Sequence, residues 1–475
     1  MGKSSWLVLI ALVLVFEINA QTNRYMVFFK DKANSRYRVS QPQEFLSPRA
    51  IERRNNQNIS VTVQDLPVNE SYIVGIENLG FKVFFKTKWF NGALIEVDKN
   101  TLGIISALPF VDSIELAAPG SKLSRLGKDK FGKSGKANQR QKGVSNEFQN
   151  QLLGIDEMHN DQFRGEGMLV AVCDAGFSNV NNISFFEHLF NDSQIIDTYD
   201  FVSNDDFVYE YGSHGTRVFS TMAAYDPNLY IGAAYKADYM LFVTEDIGSE
   251  YRIEEYNWVF AVERADSAGV DVINTSLGYD TFNDPSMNYI FSDLDGNTAV
   301  ISKAASIAAS KGILIVNSAG NSGNNPINHP GDAKNILTIG SITANGSRSS
   351  FSSVGPTSDG RIKPDLVAIG SSAYVVTSTG TGTGNGTSFS SPQVAGLVTG
   401  LWQAYPDLSY LEIIELVKMS ADNVSSPNNQ LGFGVPNYQA AKNIKESSMQ
   451  TKNYLVFPNP ANDELKIMVR DPVEY

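Results

Sequence analysis

Met168-Leu169-Val170-Ala171-Val172-Cys173-Asp174-Ala175-Gly176 is an apolar run that stops at a carboxylate and a tight turn. Such a run, with no polar alternation, predicts a strand covered on both faces, the form that parallel strands take. Four more runs repeat it: Tyr239 to Val243, Val270 to Ile273, Ile313 to Val316 and Ile336 to Ile339. Between them, Arg252 to Ala268 and Thr298 to Ser310 carry apolar residues at helical spacing, and Tyr410 to Ser420 adds a later helix. This alternation predicts an α/β fold with a doubly wound, mostly parallel sheet. Ligands bind such sheets beyond the carboxyl ends of the strands, so the polar residues that follow each run are the candidates for chemistry.

Asp174 ends the first run and is placed to orient a base. Asn321, in Asn317-Ser318-Ala319-Gly320-Asn321, follows another run and can donate to a developing oxyanion. His214, in Gly212-Ser213-His214-Gly215-Thr216, opens a predicted helix, and the glycine beside it is read as room for a substrate. Ser388, in Gly386-Thr387-Ser388-Phe389-Ser390-Ser391-Pro392, joins a glycine-rich loop to a helix expected over Val394 to Trp402, with Pro392 in its first turn. Singly, each residue has a plainer reading as a turn or helix cap. Together they place an acid, a base, a nucleophile and an oxyanion donor at one sheet edge. Of the other histidines, His188 lies among phenylalanines as packing, and His159 and His329 lie in polar surroundings. No His-Glu-x-x-His pattern is present, and no metal ligands are assigned.

Composition narrows the function classes. With 475 residues the chain has room for about three domains. A net charge of −13 argues against nucleic acid as the main partner, because a phosphate-binding surface needs a basic excess. The one cysteine, Cys173, excludes an internal disulfide framework and a cysteine-based zinc site. Its side chain should point to the opposite side of the strand from Asp174, which predicts a buried, inert thiol.

Residues 1–20 read as a signal peptide: Lys3, the apolar run Trp6 to Phe16, then Ile18-Asn19-Ala20, with cleavage expected after Ala20. That run is too short for a membrane span, and no later run reaches spanning length. Residues 21–120 alternate short strand-like and helix-like pieces and predict a small α+β domain. Residues 121–143 are a basic, polar linker. Within it, Gly127-Lys128-Asp129-Lys130-Phe131-Gly132-Lys133-Ser134 matches the nucleotide-binding loop by letter, but no buried strand precedes it and no helix follows, so we reject it. Residues 144–449 form the α/β domain, and 450–475 a further short segment.

The quoted motifs, with Asp271-Val272-Ile273-Asn274-Thr275-Ser276-Leu277-Gly278 and Phe351-Ser352-Ser353-Val354-Gly355-Pro356, closely resemble those of the subtilisin-like serine peptidases. The chain order Asp, His, Ser is also theirs, unlike that of α/β-hydrolases. The resemblance implies that Ser388 attacks, His214 carries the proton, Asp174 orients the imidazole, and Asn321 with the Ser388 amide stabilises the oxyanion. It also implies substrate-pocket walls at Ser276, Leu277, Gly278 and at Ser318, Ala319, Gly320. These walls carry no buried charge, which predicts apolar side chains before the scissile bond. No cofactor is implied for catalysis, although a structural calcium ion fits the family. The segment 21–120 takes the place of the inhibitory, fold-assisting propeptide. The start of the sorting domain used by type IX secretion resembles Tyr454 to Ile467. The expected protein is a secreted endopeptidase zymogen whose partners are protein or peptide substrates and its own propeptide. The alternative is a catalytically silent binding protein of the same fold. Three positions depart from the family pattern: Arg217-Val218-Phe219-Ser220 after the histidine motif, Gln393 after the proline, and Ile369.

Overall fold

The computed structural model describes residues 22–120, 145–451, 454–457 and 466–469. The signal peptide expected at 1–20, the linker at 121–143 and most of 450–475 lie outside the described residues.

The N-terminal unit runs β1 (Thr22–Phe29), α1 (Pro48–Asn56), α2 (Glu70–Glu77), β2 (Val83–Thr87), β3 (Gly92–Asp98) and β4 (Val111–Pro119). Its strands form an antiparallel sheet in the order β2-β3-β1-β4. Alternation along the strands divides two faces. Tyr25, Val27 and Ile95 join Ile73 and Ile76 in the unit's own core, while Met26 and Leu94 join the core of the larger unit. α1 begins where it does because Ser47 Oγ accepts from Ala50 N at 3.0 Å and Pro48 needs no donor there.

The larger unit contains β5 (Leu169–Asp174), β6 (Ile195–Asp200), α3 (Ser213–Ala223), β7 (Asp238–Val243), α4 (Ile253–Ala268), β8 (Val272–Thr275), α5 (Val300–Ser310), β9 (Leu314–Ser318), β10 (Leu337–Ile342), β11 (Leu366–Ile369), α6 (Thr387–Ala404) and α7 (Tyr410–Met419). The seven strands are parallel, in the order β11-β10-β9-β8-β5-β7-β6. Every residue of β5, β8, β9, β10 and β11 is buried, as a sheet covered on both faces requires. α3 packs on α6, and α4 on α5. β6 escaped the apolar-run criterion because it is the edge strand, reading Ile-Ile-Asp-Thr-Tyr-Asp. α6 begins at Thr387 rather than at Val394, so Pro392 lies inside the helix and Ser388 within its first turn.

The two units meet over α4 through buried charge. Asp266 of α4 takes Arg53 and Arg54 of α1 at 2.7 Å each, and Lys88 at 2.8 Å. In the reverse direction, Asp65 of the N-terminal unit takes Lys311 of the larger one at 3.2 Å. Glu263 accepts from Thr87 Oγ1, Lys88 N and Trp89 N at 2.5, 2.7 and 3.0 Å.

Candidate active site

Sheet register brings the candidate residues together. β8 pairs Thr275 with Cys173 on one side and with Asn317 on the other, so Asp174, Ser276 and Ser318 leave three neighbouring strands at one edge. α3 then carries His214 to Asp174: Nδ1 donates to Oδ1 at 2.8 Å, with both residues buried. Asp174 Oδ1 also accepts from Ala175 N at 2.7 Å, while Oδ2 is buried without a partner. Gly215 makes the approach of α3 feasible, since a Cβ there would lie 2.3 Å from Gly176 O and 3.0 Å from Asp174 Cβ. The room beside His214 is thus taken by the acid and its turn, not by a substrate. Cys173 is buried, and burial pushes its thiol well above the usual range.

Ser388 occupies the second position of α6, where amides have no intrahelical acceptor. Among the described residues, Asn321 Oδ1 accepts from Thr387 N at 2.9 Å and Gly386 O accepts from Phe389 N at 3.1 Å, but none accepts from Ser388 N. Thr387 Oγ1 donates to Asn321 Oδ1 at 3.1 Å and accepts from Gly320 N at 3.2 Å. With its oxygen committed to Thr387, the Asn321 amide presents Nδ2 as a donor. A Cβ built on Gly386 would stand 3.6 Å from Asn321 Nδ2 and 3.7 Å from Ser388 N, so both donors border one small space.

Ser388 Oγ donates to Ser276 O at 3.4 Å, and Ser276 Oγ donates to Ser388 O at 3.0 Å. Ser276 Oγ also accepts from Asn274 Nδ2 at 3.2 Å, and Asn274 Oδ1 accepts from Ser391 Oγ at 2.9 Å. His214 reaches the serine's helix through Phe389, with ring centroids 5.9 Å apart. Phe389 is held by Arg217, whose guanidinium lies 5.7 Å over its ring. Gln393 donates to Ile369 O at 2.7 Å and Phe389 O at 2.6 Å. Two of the departures from the family pattern are therefore built into the packing around Phe389. The expected pocket residues Ser276, Leu277, Ser318 and Ala319 are buried, whereas Gly278 is exposed and Gly320 half-buried. Sequence reasoning did not find Thr387 as the residue that orients Asn321; only the folded loop puts them in contact.

The model of the subtilase family matches residues 165–434, more than half of the chain. The chain belongs to the subtilase family. A second model, the peptidase S8 propeptide domain of Bacteroidota, matches residues 24–134 of this subtilase. Subtilisin DY of Bacillus licheniformis is 30% identical over 61% of this chain and 96% of its own length. Subtilisin BL of Lederbergia lenta is 30% identical over 60% of this chain and 93% of its own. The crystal structure of MycP1 with its N-terminal propeptide removed shares the fold, with a TM-score of 0.50 and 24% identity over 62% of this chain and 96% of that one. This subtilase is a secreted serine endopeptidase made as a zymogen, and its propeptide is its intramolecular inhibitor. Catalysis in the family needs no cofactor. Among the described residues, no helix is long and apolar enough to cross a membrane.

Proposed function

We propose that Ser388, His214, Asp174 and Asn321 are the catalytic residues of this subtilase. The observation that carries this reading is the pair of donors, Asn321 Nδ2 and Ser388 N, that border one space at the start of the helix carrying Ser388. Ser388 Oγ attacks the carbonyl carbon, and its proton passes to His214. Asp174 fixes the imidazole with Nδ1 protonated and offsets the charge it gains. The carbonyl oxygen becomes an oxyanion between the two donors, and collapse expels the amine, which takes the proton back from His214. Water then releases the acyl group by the same path. A fluorophosphonate label on mature enzyme tests this. Attachment at Ser388 and loss of casein hydrolysis are expected; labelling elsewhere overturns the assignment, and no labelling points to the silent binding protein.

The walls at 276–278 and 318–320 are proposed to flank the side chain before the scissile bond. Glu245, Glu250 and Glu254 bring one carboxylate oxygen each within 4.8 Å. Calcium takes oxygen ligands, so this group could supply part of a set that backbone carbonyls and water complete.

We further propose that maturation cuts the chain between Ser121 and Val144, within a domain plan of signal peptide 1–20, propeptide 21–120, linker 121–143, catalytic domain 144–449 and sorting segment 450–475. A tethered substrate at high effective concentration favours self-cleavage, while the linker's Lys and Arg suit a trypsin-like enzyme. Purified Ser388→Ala should stay full length while the wild type matures. If the wild type also stays full length until trypsin is added, another enzyme does the cutting. The resemblance of 454–467 to a sorting domain supports export by the type IX route to the cell surface or beyond.

A further inference from the structure

We propose that Arg217 is a positioning residue for the catalytic base: through Phe389 it keeps the His214 imidazole from turning away from Ser388. This role rests on the reading above, in which His214 and Ser388 act as base and nucleophile.

The bond from His214 Nδ1 to Asp174 Oδ1, 2.8 Å long, anchors one atom of the imidazole, and a ring anchored at one atom can still turn about that bond. The Phe389 ring opposes such turning, its centroid 5.9 Å from that of His214 with the planes at 39°. Phe389 follows Ser388 in α6, so its ring stands on the same turn as the nucleophile. The ring is itself held from three directions. Gly384, at the end of the strand Gly380–Gly384, lets it come so near that a Cβ there would lie 2.4 Å from Phe389 Cε2. Gln393 Nε2 donates to Phe389 O at 2.6 Å. The Arg217 guanidinium lies 5.7 Å from the ring centroid, within the range of a cation–π contact.

Of these three, only Arg217 shares a helix with His214. It stands three residues further along α3 and so on the same face. Its side chain points back along the helix, where Nε donates to Ser213 O at 3.2 Å. His214, Arg217 and Phe389 are all buried, and loss of water strengthens the attraction of a cation for a ring. Base and clamp thus ride on one helix and close on a ring carried by the helix of the nucleophile. Small misplacements of reacting groups cost up to about 10²-fold in rate, so a clamp of this kind acts on turnover and not on substrate binding.

The test uses mature enzyme and a quenched fluorogenic peptide taken from casein, with rates expressed per site labelled by a fluorophosphonate. A wild type that is not labelled at Ser388 overturns the nucleophile assignment, a separate failure from that of the clamp. Arg217→Met keeps the stem and loses the guanidinium; kcat should fall by at least about 10-fold while KM stays within about 2-fold. Phe389→Leu removes the ring and should cause a loss of the same kind, in kcat and not in KM. Added to Phe389→Leu, Arg217→Met should slow the enzyme by less than about 2-fold further, because an effect carried by the ring vanishes with it. The proposal is overturned if Arg217→Met keeps the wild-type kcat, if its loss lies in KM, or if the losses from the two substitutions multiply. Should Arg217→Met yield no mature enzyme, Phe389→Leu decides alone: a normal kcat per labelled site overturns the clamp, and a loss confined to kcat supports it.

Discussion

Pro392 stands four residues after Ser388 in the same helix and has no N–H to offer the Ser388 carbonyl, which accepts instead from Ser276 Oγ at 3.0 Å. The missing helix bond thus ties the proposed nucleophile to the end of β8. Ser276→Ala would leave Ser388 O and Asn274 Nδ2 without this partner, and a buried group so stranded costs about 1–3 kcal/mol. We expect a lower Tm together with slower acylation by a fluorophosphonate, read by calorimetry and stopped-flow labelling. Unchanged acylation would assign Ser276 to stability alone.

Gly386→Ala places a methyl group between the proposed oxyanion donors, at a φ of +152° that disfavours a side chain. The protein should fold, with a loss of about 1–3 kcal/mol from the strained backbone, and turnover should fall. Asn321→Ala should lower kcat by about 10² to 10³, the range already known for this donor in a subtilisin, the same family, and not one obtained from the present geometry. Normal kcat in either variant would remove the oxyanion site from this space.

The propeptide interface centres on Asp266. Burial pushes its carboxyl up, but Lys88, Arg53 and Arg54 outweigh burial and hold it below the usual carboxylate range. A depressed acid contributes stability that is complete above its unfolded value of 3.8 and is lost only as pH falls through the lower folded value. Mild acid should therefore leave this contact intact. Asp266→Asn, in contrast, removes the paired carboxylate of Arg53 and Lys88 and leaves Arg54 with Asp65 alone; loss of one partner of a buried pair costs about 3–5 kcal/mol. Inhibition of the mature enzyme by added propeptide should weaken by at least about 10²-fold, and an unchanged inhibition constant would show that the cluster is peripheral to docking.

Glu255 behaves in the opposite sense. Burial in α4 raises its carboxyl from 4.5 to about 7, against the hydrogen bonds it accepts from Tyr289 Oη at 2.8 Å and Ile301 N at 3.2 Å. Between those two pH values the unfolded chain ionises while the folded one stays protonated, so this residue lowers stability as pH rises through the window. Glu255→Gln should flatten the fall in Tm between pH 4.5 and 7 and be more stable than the wild type at pH 8. A variant that tracks the wild type across that range would show Glu255 to be ionised in the fold.

Apolar runs placed five of the seven parallel strands, and three helices, from sequence because a doubly covered sheet demands uninterrupted apolar residues whatever their partners. The order of Asp174, His214 and Ser388 in recognisable motifs was likewise local information. What the residues could not state locally was contact. That Gly215 admits Asp174 and not a substrate depended on how α3 approaches β5. That α6 starts at Thr387 depended on Asn321, 66 residues earlier, capping its free amide. Periodicity encodes burial along one element, whereas a site is made of distances between elements, and those are set only when the core packs.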